Sequence, residues 1–85
     1  MTPAGVISEA LTIIDACGID RTRLKVATGP REAIIRRGRG TSGVRATLTR
    51  RGITWYVTGG GVHWRGTSRH GAATQIAHII EAGWR

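Results

Sequence analysis

The side chains best suited to acid–base chemistry lie in the second half of the chain. His63 and His70 stand on either side of Ser68 and Arg69, and an imidazole near a hydroxyl and a guanidinium can serve a small ribonuclease as general acid or base. Catalysis by carboxylates requires a close pair, whereas the acidic residues are scattered along the chain at Glu9, Asp15, Asp20, Glu32 and Glu81. We therefore predict a protein that is not an enzyme and keep a small ribonuclease as an alternative.

The possible soft metal ligands do not predict a metal site. These ligands are Cys17, His63, His70 and His78, and their spacings match no zinc-binding pattern. Cys17 falls on the apolar side of the first predicted helix, where we interpret it as a small buried residue. A single cysteine also excludes an intramolecular disulfide. We therefore expect no metal and no other cofactor.

A glycine-rich stretch, Gly38-Arg39-Gly40-Thr41-Ser42-Gly43, has the G-x-G-x-x-G spacing of dinucleotide-binding turns. It follows a predicted short helix and leads into a predicted strand, whereas a dinucleotide site needs a strand followed by a helix. We interpret it instead as a basic loop, in which Arg39 continues the charge of Arg36 and Arg37. Such a loop could order on a phosphate backbone or serve only as a linker.

The strongest overall feature is positive charge. The 85 residues contain 13 Lys plus Arg and five Asp plus Glu, for a formal net charge of +8, and the isoelectric point is near 11.7. Twelve of the 13 cations are Arg, whose planar guanidinium matches phosphates and guanine edges. A GC-rich genome would also favour Arg codons, which is the alternative explanation. The charge predicts nucleic acid as the partner.

Export and membrane insertion are not predicted. The first residues lack the basic segment that opens a signal peptide, and no apolar run approaches a membrane-spanning length of about 18 residues. The lone cysteine gives no sign of an oxidising compartment. We therefore expect a cytoplasmic protein with no membrane partner.

The chain is short enough to form one domain, which we divide into three parts. Residues 1–18 are the N-terminal helix, residues 19–42 are a variable basic segment, and residues 43–85 are a sheet followed by a helix. The predicted fold class is α+β, with a three-stranded antiparallel meander packed on the C-terminal helix.

Local signals set the limits of these elements. Pro3 suits the first turn of a helix that stops at Gly18. Gly29-Pro30 can open a short helix over Glu32 to Arg37, and Ser68 can cap the last helix. The apolar stripe of that last helix consists of Ala72, Ala73, Ile76, Ile79, Ile80 and Gly83.

From residue 43 the apolar period is two, which separates the predicted sheet into two faces. The inward set, expected to meet the helix, is Ile53, Trp55, Val57, Val62 and Trp64. The outward set has no carboxylate and consists of Arg45, Thr47, Thr49, Thr54, Tyr56, Thr58, His63 and Arg65. An ordinary solvated strand face is the alternative interpretation.

The nucleic-acid site that we predict combines this outward face with neighbouring cations. Arginine and hydroxyl groups donate to phosphates or bases. Turn and loop arginines extend the same charge beyond the strands. The predicted contact residues are Arg45, Thr47, Tyr56, His63, Arg65, Arg50, Arg51, Arg36, Arg37 and Arg39.

Residues 43–83 resemble the three-stranded-sheet-plus-helix DNA-binding domains of the AP2 and integrase arm-binding types. The resemblance lies in Gly43-Val44-Arg45, Trp55, Trp64-Arg65-Gly66-Thr67 and Ala72-Ala73. It implies that the sheet enters the DNA major groove and that Arg45 and Trp64 contact DNA. The alternation instead turns Trp64 toward the helix.

Two further resemblances supply the alternatives. Arg69-His70 and the segment 79–83 are similar to the closing part of HicA-type toxins, which implies a small ribonuclease. Composition and size resemble those of small phage proteins from GC-rich bacterial hosts, which implies a host protein as partner and the host cytoplasm as location. Our prediction is a nucleic-acid-binding protein, with DNA favoured over RNA. A homodimer would add base contacts, since one small module offers few.

Overall fold

The computed structural model describes residues 3–19, 24–37, 43–48 and 54–82. They form an α+β fold in which an N-terminal helix, a five-stranded antiparallel sheet and a C-terminal helix pack together. The helices are α1 (Pro3–Ala16) and α2 (Arg69–Glu81). The strands are β1 (Leu24–Thr28), β2 (Glu32–Arg37), β3 (Gly43–Leu48), β4 (Trp55–Gly59) and β5 (Val62–Gly66).

Helix α1 confirms the prediction for the N-terminal region. Val6, Ala10 and Ile14 recur at helical spacing and are fully buried. Gly18 follows the helix with φ of 75°, a left-handed conformation that favours glycine. The expectation that Cys17 is buried was wrong, because Cys17 lies just beyond the last helical residue, where its side chain is exposed.

The second part of the chain contains strands where a short helix was predicted, and that prediction was wrong. Residues Glu32–Arg37 form β2, which pairs with β1 on one side and β3 on the other. Six residues are too few to hold a helix by themselves, and Ile34 and Ile35 are β-branched. The predicted three-stranded meander is therefore the second part of a five-stranded one, with order β1-β2-β3-β4-β5.

The turn between β4 and β5 depends on its glycines. Gly60 and Gly61 have φ of 55° and 80°, as in the type I′ turns that suit two-residue hairpins. Gly59 has φ of 152°, and a Cβ there would lie 2.9 Å from the Cα of Val44. The close approach of two backbones leaves no room for a side chain at this position.

Both helices pack on the same face of the sheet and enclose one core. Trp55 and Val57 are fully buried there, as the alternation predicted. The buried stripe of α2 also matches the prediction for the described residues, and Ser68 caps this helix by accepting a hydrogen bond from Gly71 N at 2.9 Å. Among the described residues, the buried apolar core consists of Val6, Ile7, Ala10, Ile14, Ala33, Ile35, Val44, Ala46, Leu48, Trp55, Val57, Ala72, Ala73, Ile76, Ala77, Ile79 and Ile80.

Two residues of β5 were predicted to face the helix, and they differ in burial. Trp64 lies opposite Val57 and is partly buried against the core, so close to α2 that a Cβ on Gly71 would lie 3.0 Å from the indole. Val62 is 36% exposed, because it lies at the turn end of the hairpin, outside the core. Ile53 lies outside the described residues.

Candidate nucleic-acid interface

The candidate site is the side of the sheet away from α1 and α2, which we call the open face. Strand register and alternation set most of its side chains in two neighbouring rows that cross the strands. The first row is Glu32, Thr47, Tyr56 and Arg65. The second row is Ala27, Ile34, Arg45, Thr58 and His63.

Tyr56 lies in the middle of this arrangement. Thr47 and Arg65 are directly opposite it on the two neighbouring strands. Arg45 and His63 are both partners of Thr58, two residues along β4, so they lie on the diagonals of Tyr56. Five predicted contact residues are thus neighbours on one surface, and each of them is exposed except Thr47, which is half-buried.

The remaining predicted residues differ in position. Arg36 is exposed on β2, next to Gly43 of β3 and Lys25 of β1. Arg37 is the last residue of β2, with its backbone paired to Leu24. Both arginines therefore belong to a strand, and their assignment to a helix and loop was wrong. Four other residues lie outside the described part of the chain: Arg39, Thr49, Arg50 and Arg51.

Apart from Arg36, sequence reasoning missed the part of the open face that β1 and β2 supply. Lys25 is exposed and continues the positive charge to the edge of the sheet. Ile34 is half-buried and sits opposite both Ala27 and Arg45. The alternation of Leu24, Val26 and Thr28 with Lys25 and Ala27 was the available signal, but it spans only one short strand.

The open face also carries a carboxylate, contrary to the expectation that it has none. Glu32 Oε2 lies 3.6 Å from Nη1 of Arg45, and their side chains are 55% and 49% exposed. An exposed ion pair of this kind stabilises a protein by about 0–1 kcal/mol. The pair therefore holds Arg45 only weakly, and a phosphate can replace the carboxylate.

Charge is divided between the two layers of the described fold. The strands contain five basic residues, Lys25, Arg36, Arg37, Arg45 and Arg65, and one acid, Glu32. The two helices contain three acids and one basic residue: Glu9, Asp15, Glu81 and Arg69. Within these elements, the positive charge is thus concentrated in the sheet.

The fold separates the two histidines that could have formed an acid–base site. His63 is on the open face, whereas His70 is in the first turn of α2 on the other side of the sheet. Nδ1 of His70 lies 3.5 Å from Oε1 of Glu9, a contact that links α2 to α1. In the described ranges, no three His, Cys, Asp or Glu side chains gather closely enough to hold a metal ion.

The glycine-rich stretch has the wrong context for a dinucleotide site. It begins after β2 and ends in the first residue of β3, so it lies between two antiparallel strands. A dinucleotide turn lies between a strand and the N-terminus of a helix, whose backbone N–H groups bind the pyrophosphate. Residues 38–42 themselves lie outside the described part of the chain.

Comparison with known proteins gives no family assignment. No protein-family model matches the sequence, and neither the curated proteins nor the solved structures provide a significant match. In the parts of the chain that the structure describes, no helix is both long and apolar enough to cross a membrane.

Proposed function

We propose that this protein binds nucleic acid through the open face of its sheet. The observation that carries the proposal is the grouping of Arg45, His63 and Arg65 around the exposed Tyr56. Phosphate contacts supply most of the affinity in such complexes, and arginines and hydroxyl groups are their usual donors. The open face offers both kinds of donor.

The surrounding charge supports a polyanion as ligand. Arg36 and Lys25 continue the positive charge across β2 and β1. The acids of α1 and α2 belong to the layer on the opposite side of the sheet. A long phosphate backbone would therefore be attracted to one side of the molecule, which orients the protein before specific contacts form.

The experiment is a titration of labelled duplex DNA and single-stranded RNA with the protein, followed by fluorescence anisotropy at several salt concentrations. We expect tight binding at low salt, with the logarithm of the binding constant falling linearly with the logarithm of salt concentration. Replacing Arg45 and Arg65 together by Ala should reduce that slope by about 1.5 to 2 units, since two phosphate contacts are lost.

The matched control is Arg69→Ala, which removes one cation from α2 on the other side of the sheet. This variant should keep the slope of the unmodified protein. Absence of binding to every nucleic acid at low salt would overturn the proposal. A loss of slope in the control that is half as large as that in the double variant would also overturn it, because each removed charge would then count equally wherever it lies.

A further inference from the structure

The width of the sheet restricts which nucleic acid can lie on the open face. Adjacent strands are about 4.8 Å apart, so a three-stranded sheet is about 10 Å wide between its outer strands. The five-stranded sheet of this protein is about 19 Å wide by the same spacing. The major groove of duplex DNA is about 12 Å wide and admits a helix or a narrow strand ribbon. A sheet of five strands cannot enter it face first.

The functional side chains are distributed across the full width. Each strand contributes one of them: Lys25 from β1, Arg36 from β2, Arg45 from β3, Tyr56 from β4 and Arg65 from β5. A duplex docked on a surface of this width would keep its bases out of reach in the groove. An extended single strand can instead run across the strands and meet every one of these side chains.

Tyr56 provides the second observation. It is 41% exposed, and in the described residues it is the aromatic side chain that stands out into solvent, since Trp55 is fully buried and Trp64 packs on the core. An exposed ring surrounded by cations is the arrangement that binds an unpaired base, which stacks on the ring while its phosphates meet the charges. Arg45 and Arg65 supply such charges at neighbouring positions, and His63 lies on the other diagonal of Tyr56.

We propose that the ligand of the open face is a single-stranded polynucleotide, one base of which stacks on Tyr56. This inference rests on the proposed function and names its substrate class. It replaces the major-groove mode implied by the three-stranded resemblance, because β1 and β2 widen the sheet. DNA and RNA single strands share the chemistry that this surface recognises.

The test compares labelled oligothymidylate, labelled oligouridylate and a DNA duplex, each of about ten nucleotides, in anisotropy titrations with the full chain. The unmodified protein should bind the single strands more tightly than the duplex. Tyr56→Ala should weaken single-strand binding by roughly ten- to hundredfold and duplex binding by less than about twofold. Tyr56→Phe should keep the affinity, since the ring remains.

The matched control is Val26→Ala. Val26 is 43% exposed on β1 and lies on the helix side of the sheet by register, so this variant should bind single strands as the unmodified protein does. Thermal unfolding of Tyr56→Ala, Tyr56→Phe and Val26→Ala checks that each variant retains the fold. A difference between the oligothymidylate and oligouridylate affinities reports the combined effect of the sugar and of the thymine methyl group.

Three results would overturn this inference while leaving nucleic-acid binding intact. The first is duplex binding as tight as single-strand binding. The second is an equal loss for both ligands in Tyr56→Ala. The third is a loss in Tyr56→Phe as large as that in Tyr56→Ala, which would assign the contact to the hydroxyl. Failure to bind any of the three probes would instead overturn the proposed function itself.

Discussion

On the helix side of β4, Trp55 is fully buried in the core, whereas the next residue, Tyr56, is exposed on the other side of the same strand. The helix side is made of aliphatic residues, alanines and tryptophan. The open face carries arginines, threonines, His63, Tyr56 and one carboxylate, together with Ala27 and Ile34. Consecutive positions in these strands therefore have separate tasks, because the pleat sends one to the core and the next to solvent.

This division predicts different consequences for substitutions on the two faces. Helix-side changes should act mainly on stability, since their contacts are made within the fold. Open-face changes should act mainly on ligand binding, since exposed side chains away from special features alter stability by about 0.5 kcal/mol or less. Single substitutions on each face can test this contrast.

The largest effect is expected for Trp55→Ala. Removing a fully buried indole should lower the free energy of unfolding by about 3–5 kcal/mol, because a large cavity forms in the core. Urea unfolding, followed by far-UV circular dichroism, measures this change. Tyr56→Ala is the adjacent comparison and should cost far less. Similar losses in the two variants would break the contrast between the faces.

Since Trp55→Ala can remove most of the stability of a small domain, a milder core change keeps the test quantitative. Val57→Ala empties less volume at another fully buried position of β4 and should cost about 1.5–3 kcal/mol. A folded Val57→Ala protein that is as stable as the unmodified one would contradict the assignment of this side to the core.

A smaller effect is expected for Gly59→Ala at the end of β4. The residue has φ of 152°, and an added Cβ would lie 2.9 Å from the Cα of Val44. We expect a loss of about 1–3 kcal/mol from backbone strain and displacement of β3, measured by thermal unfolding. Gly61→Asn is the control, because Gly61 has open space around it and Asn tolerates its φ of 80°. If Gly59→Ala and Gly61→Asn lose equal stability, the loss comes from changing the turn and not from the contact with Val44.

The smallest effect on stability is expected for Glu32→Gln. The exposed ion pair with Arg45 contributes little, so the unfolding midpoint should barely move. Nucleic-acid affinity at low salt should rise about two- to fivefold, since one negative charge beside the phosphates is removed, and unit charges 4 Å apart in water interact by about 1 kcal/mol. Anisotropy titration measures the gain.

The control for this charge change is Glu81→Gln, which removes an acid from the end of α2. It should leave affinity nearly unchanged, because solvent and salt screen a charge on the far side of the molecule. An equal gain in both variants would show that net charge, and not the open face, governs binding.

Much of the fold could be predicted because its signals are local. The helical spacing in α1, the period of two from residue 43 and the stripe of α2 each lie within one element. The buried side of Trp55 and Val57 and the exposed side of Arg45 and Tyr56 follow from the same alternation. Most of the candidate site was therefore predictable in β3, β4 and β5.

The short segment before β3 could not be assigned to a strand in the same way. Glu32–Arg37 is brief, and its Gly29-Pro30 start fits a helix or a turn equally well. What makes it a strand is hydrogen bonding to β1 and β3 on both sides. The places of Glu32, Ile34 and Lys25 on the open face depend on that pairing, so they were missed.

The positive charge, the abundance of Arg and the two-residue period that separates the faces can be read from the sequence, because they are properties of composition and of neighbouring residues. The number of strands in the sheet, the carboxylate beside Arg45 and the width of the open face emerge only when the chain has folded. Strand pairing connects residues that are distant along the chain, and its hydrogen bonds form only when both partners are in place. The width of the sheet, on which the proposed preference for a single strand rests, is for that reason a property of the folded molecule.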